Sequence, residues 1–306
     1  MRRAARRALY RLEQRGIALP AAPAPPIAAR SAPRPVRAWV SGIDGSGSRA
    51  AWIVFEGDFG GLRLCSLILN DVAGIVEVAG GDVTRKRLDH EMAELRASQK
   101  LPWVEVEPGV AVRGVVGALR AHEAAGTGPP AAFDRWRPLF AAAPAPPPLP
   151  APAAADETVV ERSAELLGLP DLAGWFLEPE DVQADAVELL QARESRLVVS
   201  EEARAEREAA IVARVVDREL GPDARRLWAR RLLEMALVFD AEQRGEHAAL
   251  ARAAAAALLD DSRPPGRIPF ARALATRALE VAGEVSLGRL GADVARRRPA
   301  QSPRAR

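Results

Sequence analysis

A single cysteine, Cys65, is all the sequence offers for thiol chemistry. One cysteine excludes an intrachain disulfide and any zinc site assembled from several cysteines. It sits in the apolar run Leu62-Arg63-Leu64-Cys65-Ser66-Leu67-Ile68-Leu69, so a buried, inert thiol is expected rather than a nucleophile. Histidine is scarce too. His90, His122 and His247 each fall on an expected helix, none in an i, i+3 or i, i+4 arrangement of the zinc-binding type, and they are read as solvent-facing or cap-adjacent. No stretch approaches the roughly 18 uninterrupted apolar residues of a membrane-crossing helix. Lysine is nearly missing: of 43 basic residues only Lys86 and Lys100 are lysines. With an excess of alanine and 25 prolines, this bias reads as the product of a GC-rich genome, which weakens arginine richness as evidence for phosphate recognition.

What is present is unevenly charged. Residues 1–20 carry six arginines against Glu13, and residues 286–306 carry six against Asp293, so each end stands at +5. The whole sequence is +2, which leaves −8 for the body between them. A mildly acidic body with basic ends is not the footprint of a dedicated nucleic-acid domain, which clusters its charge on a folded face. The ends remain candidates for weak, salt-dependent contact with polyanions. The basic start lacks a following apolar segment, so a secretory signal is not expected, although its arginine- and alanine-rich composition also resembles a transit peptide. A cytoplasmic location is the expectation.

The densest run of strand-forming sequence lies between Val36 and Val83, and it contains Gly42-Ile43-Asp44-Gly45-Ser46-Gly47-Ser48-Arg49. Gly42 and Gly47 keep the glycine spacing of a phosphate-cradling loop, and Gly42 to Gly47 resembles the start of nucleoside monophosphate kinases. The chemistry then departs from that pattern. Ser48 stands where a lysine must reach phosphate, Arg49 where a hydroxyl must meet magnesium, and Ala51-Trp52-Ile53-Val54-Phe55 reads as a strand where a helix should begin. A hairpin connection built from Asp and Gly is the expected structure.

In sequence order, residues 1–19 predict a basic helix and 20–35 a Pro-rich linker. Strands are expected at about 36–43, 50–56, 62–69 and 74–79, separated by short breaks that favour an antiparallel meander. A helix follows Thr84, with Leu88, Met92 and Leu95 on one face, then a strand at Trp103–Glu107 and a helix after Pro108. Together, 36–140 read as an α+β domain with an antiparallel sheet. Residues 141–155 form a Pro/Ala tract with nothing to build a core from, read as a semi-rigid spacer. From 156 to 285 every signal is helical, with helices near 157–167, 179–193, 201–220, 223–243, 246–260 and 269–284. The pair joined through Gly245 resembles one tetratricopeptide-like hairpin, and one unit is too few for a solenoid. Residues 286–306 are expected to be a disordered basic tail.

No catalytic constellation emerges, so no catalytic, cofactor-binding or metal-ligating residue is assigned. Asp44, Asp58, Asp71 and Asp82 sit at expected turns, where aspartate is favoured locally. Arg225, Arg226, Arg230 and Arg231 are the one basic concentration inside the body. With Arg296, Arg297 and Arg298 they are the candidate contacts for a polyanion or an acidic partner, the plainer reading being a solvated helix face paired to glutamates.

The start Arg6-Arg7-Ala8-Leu9-Tyr10-Arg11-Leu12, the Ile43–Gly47 turn, Leu101-Pro102-Trp103-Val104-Glu105-Val106 and the helical second half together resemble uncharacterised bacterial proteins. In those, a HEAT-like helical region precedes a β-rich part. The resemblance implies that residues 1–16 are the remnant of such a region, and it brings no activity. The functional expectation is therefore a non-enzymatic interaction or scaffold protein with a protein partner and no membrane role. The alternative is a nucleic-acid- or ribosome-associated accessory protein using the basic termini.

Overall fold

The computed structural model describes residues 33–57, 60–98, 101–145, 147–153, 156–194 and 200–291. The expected basic helix at 1–19, the linker as far as residue 32, and the tail beyond residue 291 lie outside them. The described residues gather into one compact unit.

The fold is α+β. Its sheet has five strands: β1 (Arg34–Ser41), β2 (Ser48–Glu56), β3 (Leu62–Asn70), β4 (Gly74–Val83) and β5 (Trp103–Val106). All pairings are antiparallel, in the order β4-β3-β2-β1-β5, so the first four strands are the expected meander and β5 closes onto the edge of β1. Alternation of side chains along a strand divides the apolar residues between two faces. Ala38, Val40, Ala51, Ile53, Phe55, Cys65, Leu67 and Leu69 point to one face. Trp39, Val54 and Leu64 point to the other, where helix α1 (Arg85–Ser98) covers them with the Leu88 and Met92 stripe. Cys65 is fully buried, and burial pushes its thiol up to about 12.

Helix α2 (Pro108–Ala125) packs Ala111, Val112, Val115 and Ala118 onto the first face. Short α3 (Arg137–Ala141) adds Phe140, whose ring meets Phe55 edge-on at 5.3 Å. The helical half follows as α4 (Glu157–Glu161), α5 (Gln183–Glu194), α6 (Glu201–Glu219), α7 (Pro222–Ala241), α8 (Gly245–Leu259) and α9 (Pro269–Ser286). Where one helix at 157–167 is expected, α4 stops at Glu161 and a 3-10 turn runs from Ser163 to Gly168. The break has a physical use, since buried Ser163 turns its Oγ to accept the Phe270 N–H at 3.1 Å and caps the start of α9. Helices α7 and α8 make the most extensive helix–helix contact, and α8 allows the approach by burying mostly alanine.

The buried apolar residues run as one cluster from Ala38 on the sheet to Ala282 on α9. The sheet and the helices therefore share a core, with α7 touching β5. Between them, Pro147 and Pro148 of the Pro/Ala tract are held against α2. Arg113 of α2 donates to the Pro147 and Pro148 carbonyls at 3.0 and 3.4 Å, and Pro147 lies so close to Gly109 that an added Cβ there would overlap it. No helix among the described residues is long and apolar enough to cross a membrane.

Candidate functional site

The Gly42–Arg49 segment is a joint between the sheet and the helices. Asp44 Oδ1 accepts the Ser46 N–H, the Ser46 hydroxyl and the Ser48 N–H at 2.8, 2.7 and 2.9 Å. The backbone donors that a phosphate loop would offer to a ligand are thus taken by the loop's own carboxylate. From the helical side, Trp175 Nε1–H donates to the Ile43 carbonyl at 3.0 Å, and the Ile43 N–H meets Met235 Sδ at 3.2 Å. Trp175 stands in an aromatic cluster with Trp228 and Phe270, at ring separations of 5.4 and 6.5 Å. The aromatic core of the helices is in this way anchored to the turn.

Beside this joint opens a cleft of about 570 Å³. Five separate parts of the sequence line it: Ile43 and Arg49, Leu69–Asp71, the α2 face from Arg113 to Arg120, Pro147–Leu149, and Arg230, Arg231 and Glu234 of α7. The lining is mainly aliphatic and, among the described residues, contains no aromatic ring. Its charge is one-sided, with five arginines against Asp71 and Glu234.

Each carboxylate serves two arginines. Arg231 grips Asp71 in a bidentate pair, Nε to Oδ2 at 2.6 Å and Nη2 to Oδ1 at 2.9 Å, while Arg230 donates to the Asp71 carbonyl at 3.1 Å and lies 3.7 Å from its Oδ2. Arg49 donates to Glu234 Oε2 at 2.8 Å and to the Ser41 carbonyl at 2.8 Å, and Arg113 Nε stands 3.6 Å from Glu234 Oε1. Burial pulls the Arg49 guanidinium down, Glu234 opposes it by charge and hydrogen bond, and Arg113 adds repulsion. Arginine stays cationic regardless, so each pair keeps one positive charge uncompensated. Arg120, exposed at the rim, has no ion-pair partner among the described residues.

The shortage of acceptors shows at atomic level. Arg49 Nε and Arg113 Nε and Nη2 are buried without a hydrogen-bond partner among the described residues. A buried donor left unpaired costs about 1–3 kcal/mol. The Nε/Nη2 edge is the fork through which arginine engages carboxylates.

The four arginines of the sequence-based candidate surface do not act as one surface. Arg225 is buried and closes the end of α8, donating to the Leu258 and Asp260 carbonyls at 2.8 and 2.5 Å. Arg226 is exposed and pairs with Asp223 at 2.5 Å, the local pairing of a solvated face. Arg230 and Arg231 are the two that reach the cleft. Arg296, Arg297 and Arg298, like Asp58, lie outside the described residues. Arg49, Asp71, Arg113, Arg120 and Glu234 were not among the candidates. Asp71 reads as a turn residue, and Arg49 as a residue that breaks the phosphate-loop pattern, until α7 is folded against them.

One histidine also departs from expectation. His90 is exposed near Glu94 at 3.4 Å, and His247 accepts from Arg244 Nε at 3.1 Å. His122, however, is buried: its Nε2 accepts the Ile75 N–H at 2.9 Å and its Nδ1 sits 2.8 Å from Thr127 Oγ1. It is structural, tying the end of α2 to the start of β4. Among the described residues no group of three or more His, Cys, Asp or Glu side chains is placed to hold a metal ion.

Residues 139–283 match the family described as the Y4lR C-terminal helical domain. That similarity takes in the helical half and leaves out the sheet, so the expected order of a β-rich part followed by a helical part stands, with the match on the second. Arg230, Arg231 and Glu234 fall inside the matched stretch, and Arg49, Asp71 and Arg113 outside it. No curated protein and no solved structure matches the sequence.

Proposed function

We propose that this protein is a non-enzymatic interaction protein of the bacterial cytoplasm that holds an anionic segment of a protein partner in the cleft between α2 and α7. The observation that carries the reading is the lining itself, five arginines sharing two carboxylates above an aliphatic floor. At about 570 Å³ the space is of the size that takes a single ligand group, within the roughly 300–1,000 Å³ usual for such sites. Steering by the excess charge favours acidic partners.

A variant with the cleft filled tests this directly. A Cβ built on Gly117 of α2 meets no atom of the described residues within 4 Å, so Gly117→Leu adds bulk to the cleft lining from an unobstructed position. Tagged wild type and Gly117→Leu are used to capture proteins from host lysate, each with and without nuclease. Partners that survive nuclease and are lost with Gly117→Leu are the expected result. Capture that disappears with nuclease would move the function to polyanion contact through the basic ends. Capture indifferent to Gly117→Leu would remove the cleft from it.

A further inference from the structure

The cleft's chemistry narrows what it can hold, and the narrowing rests on the reading just given. Three kinds of anion are candidates for an arginine-rich site: a nucleotide, an inorganic or esterified phosphate, and a carboxylate. A nucleotide needs a stacking surface or polar readout for its base, and among the described residues the lining has no aromatic ring. A phosphate group favours a nest of backbone N–H groups, and in the one glycine-rich loop at the cleft Asp44 already occupies the Ser46 and Ser48 N–H groups.

A monoanion on an aliphatic body meets every requirement. Its carboxylate meets the positive charge that Arg49 and Arg113 leave uncompensated over Glu234, and its body covers Ile43, Leu69 and Val116. Gly117 of α2 supports the same conclusion. Glycine in a helix interior is unfavourable by roughly 0.5–1 kcal/mol relative to alanine, and Gly117 is not required by any neighbour. What its missing side chain provides is depth.

We infer that the cleft recognises a carboxylate carried on an apolar body, the free carboxyl end of a polypeptide with an aliphatic last residue being the form suited to an interaction protein. Binding is measured calorimetrically on the full-length protein with four probes: acetyl-Ala-Leu-Leu as the free acid, the same peptide amidated, octanoate, and inorganic phosphate. The free acid binds more tightly than the amide by about tenfold or more, the size of one charge-assisted hydrogen bond. Arg113→Gln and Arg230→Gln weaken it, Glu234→Gln strengthens it by removing the competing carboxylate, and Gly117→Leu abolishes it. Opposite signs at Glu234 and Arg113 are a signature that general loosening of the fold does not produce, and thermal melting of each variant checks that it is folded.

Octanoate binding above the free-acid peptide keeps the apolar carboxylate and assigns it to a small acid instead of a peptide end. Phosphate binding above the peptide, or equal affinity for acid and amide, overturns the inference. If acid and amide bind alike while Gly117→Leu still abolishes partner capture, the carboxylate assignment falls and the cleft reading stands. If Gly117→Leu leaves capture intact, the reading beneath it falls.

Discussion

Asp185 of α5 shows how a buried carboxylate is held in this protein. It is 6% exposed and takes Arg214 through Nε and Nη2 at 3.0 and 2.8 Å, with Arg218 Nη2 at 2.8 Å from its other oxygen. Burial pushes its carboxyl up, and the hydrogen bonds from Arg218 and Arg214 more than offset that, holding it below its ordinary 3.8. Asp185→Asn therefore destabilises the protein at pH 7 by about 1–3 kcal/mol, toward the lower end because both arginines are half-exposed and rehydrate. The pH dependence follows from the direction of the shift. A carboxyl depressed on folding stabilises fully above its unfolded value of 3.8, and loses that contribution as pH falls through the lower folded value. Urea denaturation at pH 7 and pH 3 should show the gap between wild type and Asp185→Asn narrowing in acid. A gap that widens there would mean Asp185 is not held as a paired carboxylate.

At the scale of elements, two glycines with opposite reasons make a paired test. Gly47 ends the Asp44 turn at φ +82°, and a Cβ there would overlap both Asp71 and Arg231. Gly47→Ala adds left-handed strain of about 1–2 kcal/mol and pushes apart the ion pair that docks α7 on the sheet, so its total cost exceeds that figure. Gly117→Ala should instead stabilise by roughly 0.5–1 kcal/mol, because the helix gains propensity and nothing is struck. Chemical denaturation of the two variants decides both, and destabilisation by Gly117→Ala would show that α2 is not straightforwardly helical at the cleft. The same contrast explains what was legible in the sequence. Strands, α1, α2 and the C-terminal helices follow from local periodicity, and the failure of Gly42–Arg49 as a phosphate loop follows from Ser48 and Arg49. Of the cleft, only Arg230 and Arg231 stood out, and only because they sit in a dense run. Arg49, Asp71, Arg113 and Glu234 are each unremarkable in their own segment. Their meeting depends on how α7 crosses the end of the sheet, and local pattern carries no trace of that. His122 was missed for a similar reason, since its partner Ile75 lies 47 residues away.

Across the whole molecule, composition alone suggests two folding units on a Pro/Ala spacer, because residues 141–155 contain nothing that packs on itself. The contacts that matter run to other segments. The sheet's inner face and the helices contribute to one buried cluster, Trp175 hydrogen-bonds to the Ile43 carbonyl, and Arg231 and Arg49 cross between the sheet and α7. Removing the helices would leave Ile43, Arg49 and Asp71 without those partners, and removing the sheet would uncover Met235 and Trp175. Neither half keeps a complete core alone, so the halves should stabilise each other and unfold together. Tryptophan fluorescence weights both halves, with Trp39, Trp52 and Trp103 on the sheet and Trp175 and Trp228 among the helices, whereas far-UV circular dichroism weights the helices. Under urea the two signals should trace one coincident transition. Arg231→Ala should shift both midpoints equally, because it leaves the partly buried Asp71 without its bidentate partner at a joint that both halves share. Two separated transitions, or a shift confined to the helical signal, would show instead that the spacer divides two independent folding units.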